Sequence, residues 1–337
     1  HIKSLLSNNL ISIQKIDKSV KRILTLKFNL GLFESAITPP NQTLSILNPN
    51  HLSIAKEAAM KSCVLLKNDN QTLPLDKSVI NTLAVIGPLA DDGYEQMGTW
   101  AFDGKDYQSH TCLNSLIETA ENSFSIIHAV GLETSRCNHQ DGFYEAIDVA
   151  KDADIALMIL GEEAILSGEA HCRADINLPG AQELLIEAIH GTGTPIILVI
   201  MAGRPITLEN IISKVDAILF AWHPGTMAGP AINDLLFGVE SPSGKLPITF
   251  PRTVGQIPLY YAQKNSGRPP SEEKYIHIDS IKTRAPQTSF GMAATYLDTH
   301  FSPLFPFGYG LSYSQFCYTN IKLNKNVITI VSGIIIN

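Results

Sequence analysis

The sequence predicts a three-layer α/β sandwich whose central sheet is mostly parallel. Short apolar runs of strand length recur through the middle of the chain, and segments with apolar residues at helical spacing separate them. Strands that alternate with amphipathic helices build parallel sheets that are covered on both faces. The composition agrees with this class, because 45% hydrophobic and 17% charged residues are ordinary values for a globular protein with a large core.

The first predicted element is a helix over residues 15–28. Apolar residues such as Ile16 and Val20 share one helical face, lysine and arginine side chains lie opposite, and the glycine of "NLGLFE" ends the helix. The polar, proline-bearing composition of residues 35–50 is typical of a linker. The sequence therefore separates a helical segment, 1–34, from the main domain.

The alternation of strands and helices begins at residue 51 and fills a domain that we place at residues 51–262. Apolar runs bounded by glycine, proline or polar residues predict the strands, and apolar residues that repeat every three or four positions predict the helices. In chain order, the predicted elements are a helix through Ile54, Ala58 and Ala59 that runs into the strand-like "CVLLKN", strands 82–88 and 125–131, helix 142–150, strand 154–161, helix 180–190, strands 195–203 and 216–222, and helix 228–237.

The remainder of the chain has fewer helical patterns. Residues 263–311 are rich in proline, glycine and aromatic residues, which predicts an extended arm that packs on the sandwich. Residues 312–337 alternate weakly between apolar and polar residues, as the first strands of an additional β domain would. The chain begins with His1 and stops within an apolar run, so we expect a piece of a longer protein.

Several polar residues follow directly after the predicted strands. In open α/β sheets, ligands bind outside the carboxyl ends of the strands, so these residues mark the default site. They are Asp91 and Asp92 after strand 82–88, Glu162 and Glu169 after strand 154–161, Arg204 after strand 195–203, and His223 after strand 216–222.

Charge and cysteine usage exclude several classes of partner. The net charge is −7, from 25 Lys and Arg residues against 32 Asp and Glu residues, and no basic cluster stands out. We therefore expect neither nucleic acid nor a membrane surface as a partner. The five cysteines lack CxxC spacing, which argues against a disulfide framework and a structural zinc site. A nucleotide-binding doubly wound domain is a poor alternative, because neither GxGxxG nor GxxxxGK is present.

Several long motifs occur in the order found in one enzyme family. They are "IDKSVKRILTLKFNLGLFE", "AVIGPLAD", "SGEAHCRADINLPGAQELL", "PSGKLPITFPR" and "FPFGYGLSY". Together they resemble glycoside hydrolase family 3, in particular its β-glucosidase and β-xylosidase branch, over nearly the whole chain. The resemblance implies that residues 1–34 end a TIM-barrel glycosidase domain. It also implies that residues 51–262 form the α/β-sandwich domain and that residues 312–337 are the truncated start of a fibronectin-III-like domain.

The resemblance also implies a reaction. The intact protein is expected to be a retaining, exo-acting β-glycosidase that hydrolyses terminal non-reducing β-D-glucosyl or xylosyl residues without a cofactor or metal. Retaining glycosidases need two carboxyl groups about 5 Å apart, a nucleophile and a general acid/base. The family's nucleophile is an Asp on the barrel, so it is not in this chain, and the chain alone is expected to be inactive. The loop that matches "SGEAHCR" commonly carries the acid/base, which makes Glu169 the candidate and Glu162 its rival.

Five further residues are candidates around this site. Trp100 could be a platform for the sugar, because aromatic rings stack on pyranose faces, and a place in the core is an equally open interpretation. Asp103 and Arg204 are weaker candidates for substrate binding, since either could simply brace a neighbouring loop. Arg173 and Asp175 are expected to pair with each other and hold the acid/base loop.

The expected partners are an oligosaccharide or β-glucoside substrate and the missing TIM-barrel domain, and a homodimer is left open. The family resemblance implies a periplasmic or secreted location. The alternative function is a catalytically inactive accessory or interaction fragment that lacks the nucleophile domain. Met227 favours this alternative, because the family's "PGTxxG" motif usually has Glu or Gln at that position.

Overall fold

The computed structural model describes residues 1–37, 46–121, 123–265, 267–286, 293–320 and 322. The chain forms two compact units, His1–Asn48 and Pro49–Asn337. The smaller unit contains helices α1 (Ile2–Ser7) and α2 (Ile13–Asn29). The second of these begins where the hydroxyl of Ser12 accepts a hydrogen bond from the Lys15 N–H, which satisfies one of the free amides of the first turn. No residue of α2 is buried.

The larger unit contains six strands and five α-helices in the part of the chain that the structure describes. In chain order they are α3 (Pro49–Ser62), β1 (Val64–Asn68), β2 (Thr82–Ile86), α4 (Cys112–Ala120), β3 (Ser125–Ala129), α5 (Phe143–Lys151), β4 (Ile155–Gly161), α6 (Gln182–His190), β5 (Ile196–Met201), β6 (Ala217–Phe220) and α7 (Ala228–Leu236). Short 3₁₀ turns connect them, including Glu95–Met97, Ala164–Ser167 and Gly225–Met227.

The strands form one twisted sheet in the order β1-β6-β5-β4-β2-β3. The edge strand β1 runs antiparallel to β6, and every other neighbouring pair is parallel. From β2 the chain moves outward to β3, and from β4 it moves away on the other side through β5 to β6. The strand order therefore reverses between β2 and β4, and the loops that leave the carboxyl ends of these two strands border the crevice where such sheets bind ligands.

Two hydrophobic cores lie on the two faces of the sheet. Along β4, Met158 and Leu160 face the core shared with α5 and α6, and Leu157 and Ile159 face the core shared with α4 and α7. All four side chains are fully buried. Burial of each such side chain contributes about 1.5–3 kcal/mol, so neither face can be left uncovered. The predicted three-layer sandwich with a mostly parallel sheet is confirmed.

Two central strands lead into glycines that hold backbone conformations closed to other residues. Gly87 follows β2 with φ +127°, and Gly161 ends β4 with φ +142°. A Cβ atom on Gly161 would lie only 1.8 Å from the Met201 carbonyl oxygen on the neighbouring strand. The glycine therefore lets the chain turn while the backbones of β4 and β5 stay close.

The segment after α7 packs on the sandwich through Phe250 and Phe305. Both side chains are buried in the core that α5 and α6 share, and the Phe250 N–H donates to the Phe305 carbonyl oxygen over 2.9 Å. The Leu311 N–H donates to the Leu65 carbonyl oxygen on β1 over 2.8 Å. Of the predicted fibronectin-like segment, residues 321 and 323–337 lie outside the described residues, and residues 312–320 contain no strand.

Helix α4 is absent from the sequence prediction, although its signals are present. Thr111 caps its N-terminus by accepting from the Asn114 N–H, and buried apolar residues such as Leu113 and Leu116 recur along one face. The sequence prediction also lacks the antiparallel direction of β1, because an apolar run alone does not reveal strand direction.

Candidate functional site

The loops after β2 and β4 are joined directly at the point where the strand order reverses. The Ala164 N–H donates to the Glu95 carboxylate, and the Thr99 hydroxyl donates to the Ala164 carbonyl oxygen. The Thr99 methyl group also lies 3.2 Å from the position that a Cβ atom on Gly168 would occupy. The two loops therefore form one continuous surface at the carboxyl edge of the sheet.

Glu162 is enclosed at the base of this surface. Its side chain is 0% exposed, and its carboxylate accepts from Arg173 Nη1 and, over 3.0 Å, from Arg204 Nε. Its backbone N–H donates to the Met201 carbonyl oxygen over 2.8 Å, which continues the pairing of β4 with β5. A substrate cannot reach this carboxylate, so the position of Glu162 favours a structural role over the role of general acid/base.

Glu169 lies at the second position of a tight turn that projects from the same loop. The His171 N–H donates to the Gly168 carbonyl oxygen over 3.0 Å and closes the turn. Ala170, at the third position, has φ +62°, the conformation that a type II turn demands and that glycine usually supplies. The Glu169 side chain is exposed, and none of the described residues forms a hydrogen bond or ion pair with it. Its carboxyl group is therefore accessible from outside the domain.

Arg204 holds the chain on both sides of this turn. Its Nη2 donates to the carbonyl oxygens of Leu166 and, over 2.9 Å, of His171. The His171 ring adds a hydrogen bond between Nδ1 and the Ile165 carbonyl oxygen. The side chain of Arg204 is only 17% exposed, so the guanidinium group is directed into the loop rather than outward to a ligand.

Arg173 and Asp175 do not pair with each other, which corrects the expected contact. The guanidinium group of Arg173 binds Glu162 and the Asn177 carbonyl oxygen, the latter over 3.0 Å. The carboxylate of Asp175 accepts from the Asn177 N–H over 2.9 Å. The buried anion nearby attracts the arginine more strongly than an exposed aspartate can, since burial weakens the screening by water.

Trp100 and Asp103 both lie on the exposed part of the β2–α4 loop. The Trp100 side chain is 62% exposed, which excludes a place in the core, and its ring meets Phe102 edge-on at a centroid distance of 6.0 Å. Asp103 is exposed as well. By contrast, Trp222 packs edge-on against Phe220 at 4.8 Å and is half-buried.

Two ionisable residues that the sequence interpretation missed, Glu95 and Glu163, also hold these loops, together with His223, which the sequence placed after strand 216–222. Burial raises the pKa of Glu95, and the hydrogen bond from Arg136 lowers the pKa of Glu163, whose carboxylate binds that guanidinium through two bonds of 2.8 Å. Burial lowers the pKa of His223, whose Nε2 lies 3.2 Å from the Ser167 hydroxyl. The second acidic residue of "GEE", residues 161–163, could have pointed to Glu163, whereas no sequence feature near Glu95 pointed to that residue.

The described residues contain no group of three or more His, Cys, Asp or Glu side chains arranged to hold a metal ion. Across those same ranges, no helix is both long and apolar enough to cross a membrane.

A family profile and several similar known proteins agree on one enzyme family. The profile of the glycosyl hydrolase family 3 C-terminal domain matches residues 63–313. The chain is 36% identical to a periplasmic beta-glucosidase of Salmonella typhimurium, over 96% of this chain and 44% of that protein. It is 35% identical to a beta-xylosidase of Formosa agariphila, over 97% of this chain and 43% of that protein.

Solved structures agree with the sequence relatives. The crystal structure of a beta-glucosidase from Listeria innocua in complex with isofagomine matches with a TM-score of 0.78 and 32% identity, over 96% of this chain and 42% of that one. The chain thus spans less than half the length of these relatives. The profile match covers most of the sequence, and the resemblance seen in its motifs is confirmed: the chain belongs to glycoside hydrolase family 3.

Proposed function

We propose that this chain supplies the general acid/base of a retaining, exo-acting β-glycosidase, and that Glu169 is that group. The observation that carries the proposal is the contrast between two carboxylates on one loop. Glu162 is enclosed by two arginines, whereas Glu169 is exposed and unpaired on a turn at the reversal of strand order. The names of the relatives, beta-glucosidase and beta-xylosidase, support terminal β-D-glucosyl or β-D-xylosyl residues as the substrate.

Glu169 would take part in both steps of the reaction. In the first step its carboxylic acid gives a proton to the glycosidic oxygen while a nucleophilic carboxylate outside this chain attacks the anomeric carbon and displaces the leaving group. In the second step the Glu169 carboxylate takes a proton from water, whose oxygen attacks the same carbon and releases the nucleophile. The acid must start protonated, and enclosure beside a second carboxylate favours that form.

Trp100 would bind the substrate beside this acid. Its ring is exposed, and the hydroxyl of its neighbour Thr99 donates to the Ala164 carbonyl oxygen on the loop that carries Glu169. Aromatic faces stack on pyranose rings, so Trp100 would hold the leaving-group side of the substrate. We also propose a periplasmic or secreted location, supported by the name of the Salmonella typhimurium relative.

The test replaces Glu169 by alanine in the intact enzyme that combines this chain with its nucleophile domain. Cleavage of cellobiose should fall about 10²–10⁴-fold, because its leaving group needs a proton. With an activated aryl β-glucoside, formation of the covalent intermediate should retain most of its rate. Added azide should restore turnover by attacking that intermediate and yielding a β-glycosyl azide. Steady-state kinetics on both substrates, with product analysis, measures this.

Glu133→Ala is the matched control, because Glu133 is an exposed carboxylate on the loop after β3 at the same edge of the sheet. It should behave as the unmodified enzyme does. An equal loss on both substrates in Glu169→Ala, without azide rescue, would remove the acid/base assignment.

A further inference from the structure

We propose that the buried Glu162 and the partly buried Arg204 form a positioning pair that fixes the direction in which Glu169 points. The inference rests on the proposed function, since it takes Glu169 to be the acid/base. It assigns to both residues a role that neither substrate binding nor proton transfer describes.

The guanidinium group of Arg204 is divided between two tasks. Its Nε binds the Glu162 carboxylate over 3.0 Å. Its Nη2 binds the carbonyl oxygens of Leu166, which precedes the turn 168–171, and of His171, which ends it. The planar guanidinium fixes the angle between these nitrogens, so the position of Glu162 determines where the two carbonyl groups are held.

Glu162 in turn is fixed to the sheet. It follows directly after Gly161, its backbone continues the β4–β5 ladder, and its other carboxylate oxygen binds Arg173. Its side chain has no exposed surface, so water competes little for these charge-assisted bonds. A rigid connection therefore runs from the central strands through Glu162 and Arg204 to the base of the turn.

The turn itself needs such a restraint. Ala170 holds φ +62°, a conformation that costs a non-glycine residue about 1–2 kcal/mol. The exposed Glu169 contributes no contact that would hold the turn in place. Without Arg204, the peptide groups around Ala170 could relax to an unstrained conformation and redirect the carboxyl group. An acid displaced by about 1 Å loses on the order of 10²-fold in rate.

The first test is Arg204→Lys in the intact enzyme. A lysine ammonium can bind Glu162 or one of the carbonyl oxygens, but it cannot hold all three in the fork geometry. We expect kcat/KM for cellobiose to fall about 10–100-fold, because its leaving group needs a well-placed proton. For an activated aryl β-glucoside, whose leaving group needs little protonation, kcat/KM should fall less than about threefold. Azide should accelerate turnover of the aryl substrate by the variant.

Arg136→Lys is the matched control. Arg136 also binds a carboxylate on this loop, Glu163, but it does not contact the turn. The ratio of the two kcat/KM values should stay unchanged in this variant. Glu162→Gln tests the other half of the pair and should change the ratio in the same direction as Arg204→Lys.

Hydrogen exchange in the 337-residue chain separates a local effect from general loosening. The His171 amide, which closes the turn, should exchange faster in Arg204→Lys. The Gly161 amide, bound to the buried Gln182 side chain over 2.8 Å, should be unaffected. Equal acceleration of exchange at both amides would overturn the inference. So would an equal loss of kcat/KM on both substrates in Arg204→Lys and Glu162→Gln.

The proposed function can fail separately from this inference. If Glu169→Ala lacks both leaving-group dependence and azide rescue, the acid/base assignment is wrong and the positioning role falls with it. If Glu169→Ala has both properties and Arg204→Lys has neither, Glu169 is the acid/base and the positioning inference alone is wrong.

Discussion

Two glutamates seven positions apart have opposite surroundings, although both follow β4. Glu162 is held between two arginines without contact with water, and Glu169 stands on an exposed turn. A buried carboxylate of this kind is inseparable from its partners, because removing it leaves uncompensated positive charges in a medium that screens them poorly. An exposed, unpaired carboxylate contributes little to folding. The same side-chain chemistry therefore serves stability at Glu162 and remains accessible to other molecules at Glu169.

Glu162→Ala should lower the free energy of unfolding by about 3–5 kcal/mol, because Arg173 and Arg204 lose their buried partner. Glu169→Ala should change it by less than about 0.5 kcal/mol, as surface substitutions do. Urea denaturation of the 337-residue chain measures both values. A stability loss below about 1 kcal/mol for Glu162→Ala would contradict the importance of the buried pairing.

At the scale of the elements, the ends of the central strands decide where the loops begin. Gly161 places the backbone of β4 against that of β5 and directs the next residue, Glu162, inward. The amide of Gln182, at the start of α6, binds both the N–H and the carbonyl oxygen of Gly161. Strand, loop and helix are thus tied together at one residue.

Gly161→Ala should therefore cost about 3 kcal/mol or more, because it adds a backbone clash to an unfavourable φ. Gly193→Ala is the control, since Gly193 also has a positive φ of +82° but no atom lies within 4 Å of the added Cβ. That change should cost only about 1–2 kcal/mol, the conformational penalty alone. Thermal or urea denaturation compares the two, and equal losses would refute the steric explanation.

At the scale of the whole molecule, two partly buried histidines couple folding to pH. Burial lowers the pKa of His128 and of His223 from the ordinary value of 6.5. Asp91 and Glu145 oppose the shift at His128, and Glu162 opposes it at His223. The folded state therefore disfavours protonation of both rings, so the stability that they contribute is present above pH 6.5 and is lost as the pH falls below it.

The free energy of unfolding should consequently decrease between pH 7 and pH 5, and His128→Gln should make this decrease shallower. Glu95 acts in the other direction, because burial raises its pKa and the folded state therefore gains stability as the pH falls through that pKa toward 4.5, which offsets part of the histidine effect. The exposed His190, replaced by Gln, provides the control. Urea denaturation at several pH values measures the slope, and an identical slope in His128→Gln would exclude a contribution from that ring.

The sequence was sufficient for the mostly parallel sheet and for the polar residues that follow its strands at the carboxyl edge. Apolar runs of strand length reveal buried parallel strands, and polar residues after them mark the carboxyl edge. Without the family resemblance it could not tell Glu162 from Glu169, because Arg204, one of the two arginines that enclose Glu162, lies 42 positions away and binds it only once the strands are paired. The partner of Arg173 was mistaken for the same reason, since sequence proximity favoured Asp175 and the fold supplied Glu162.

The reversal of strand order has a consequence for how such proteins diversify. The loop that carries Trp100 and the loop that carries Glu169 leave neighbouring strands, yet they are joined mainly through the backbone of Ala164. Mutations can therefore lengthen or recompose the first loop without disturbing the ion pairs beneath the second. Under the proposed function, selection could then alter which sugar is accepted without changing the group that transfers the proton, so one scaffold could give rise to enzymes that differ in substrate but share their chemistry.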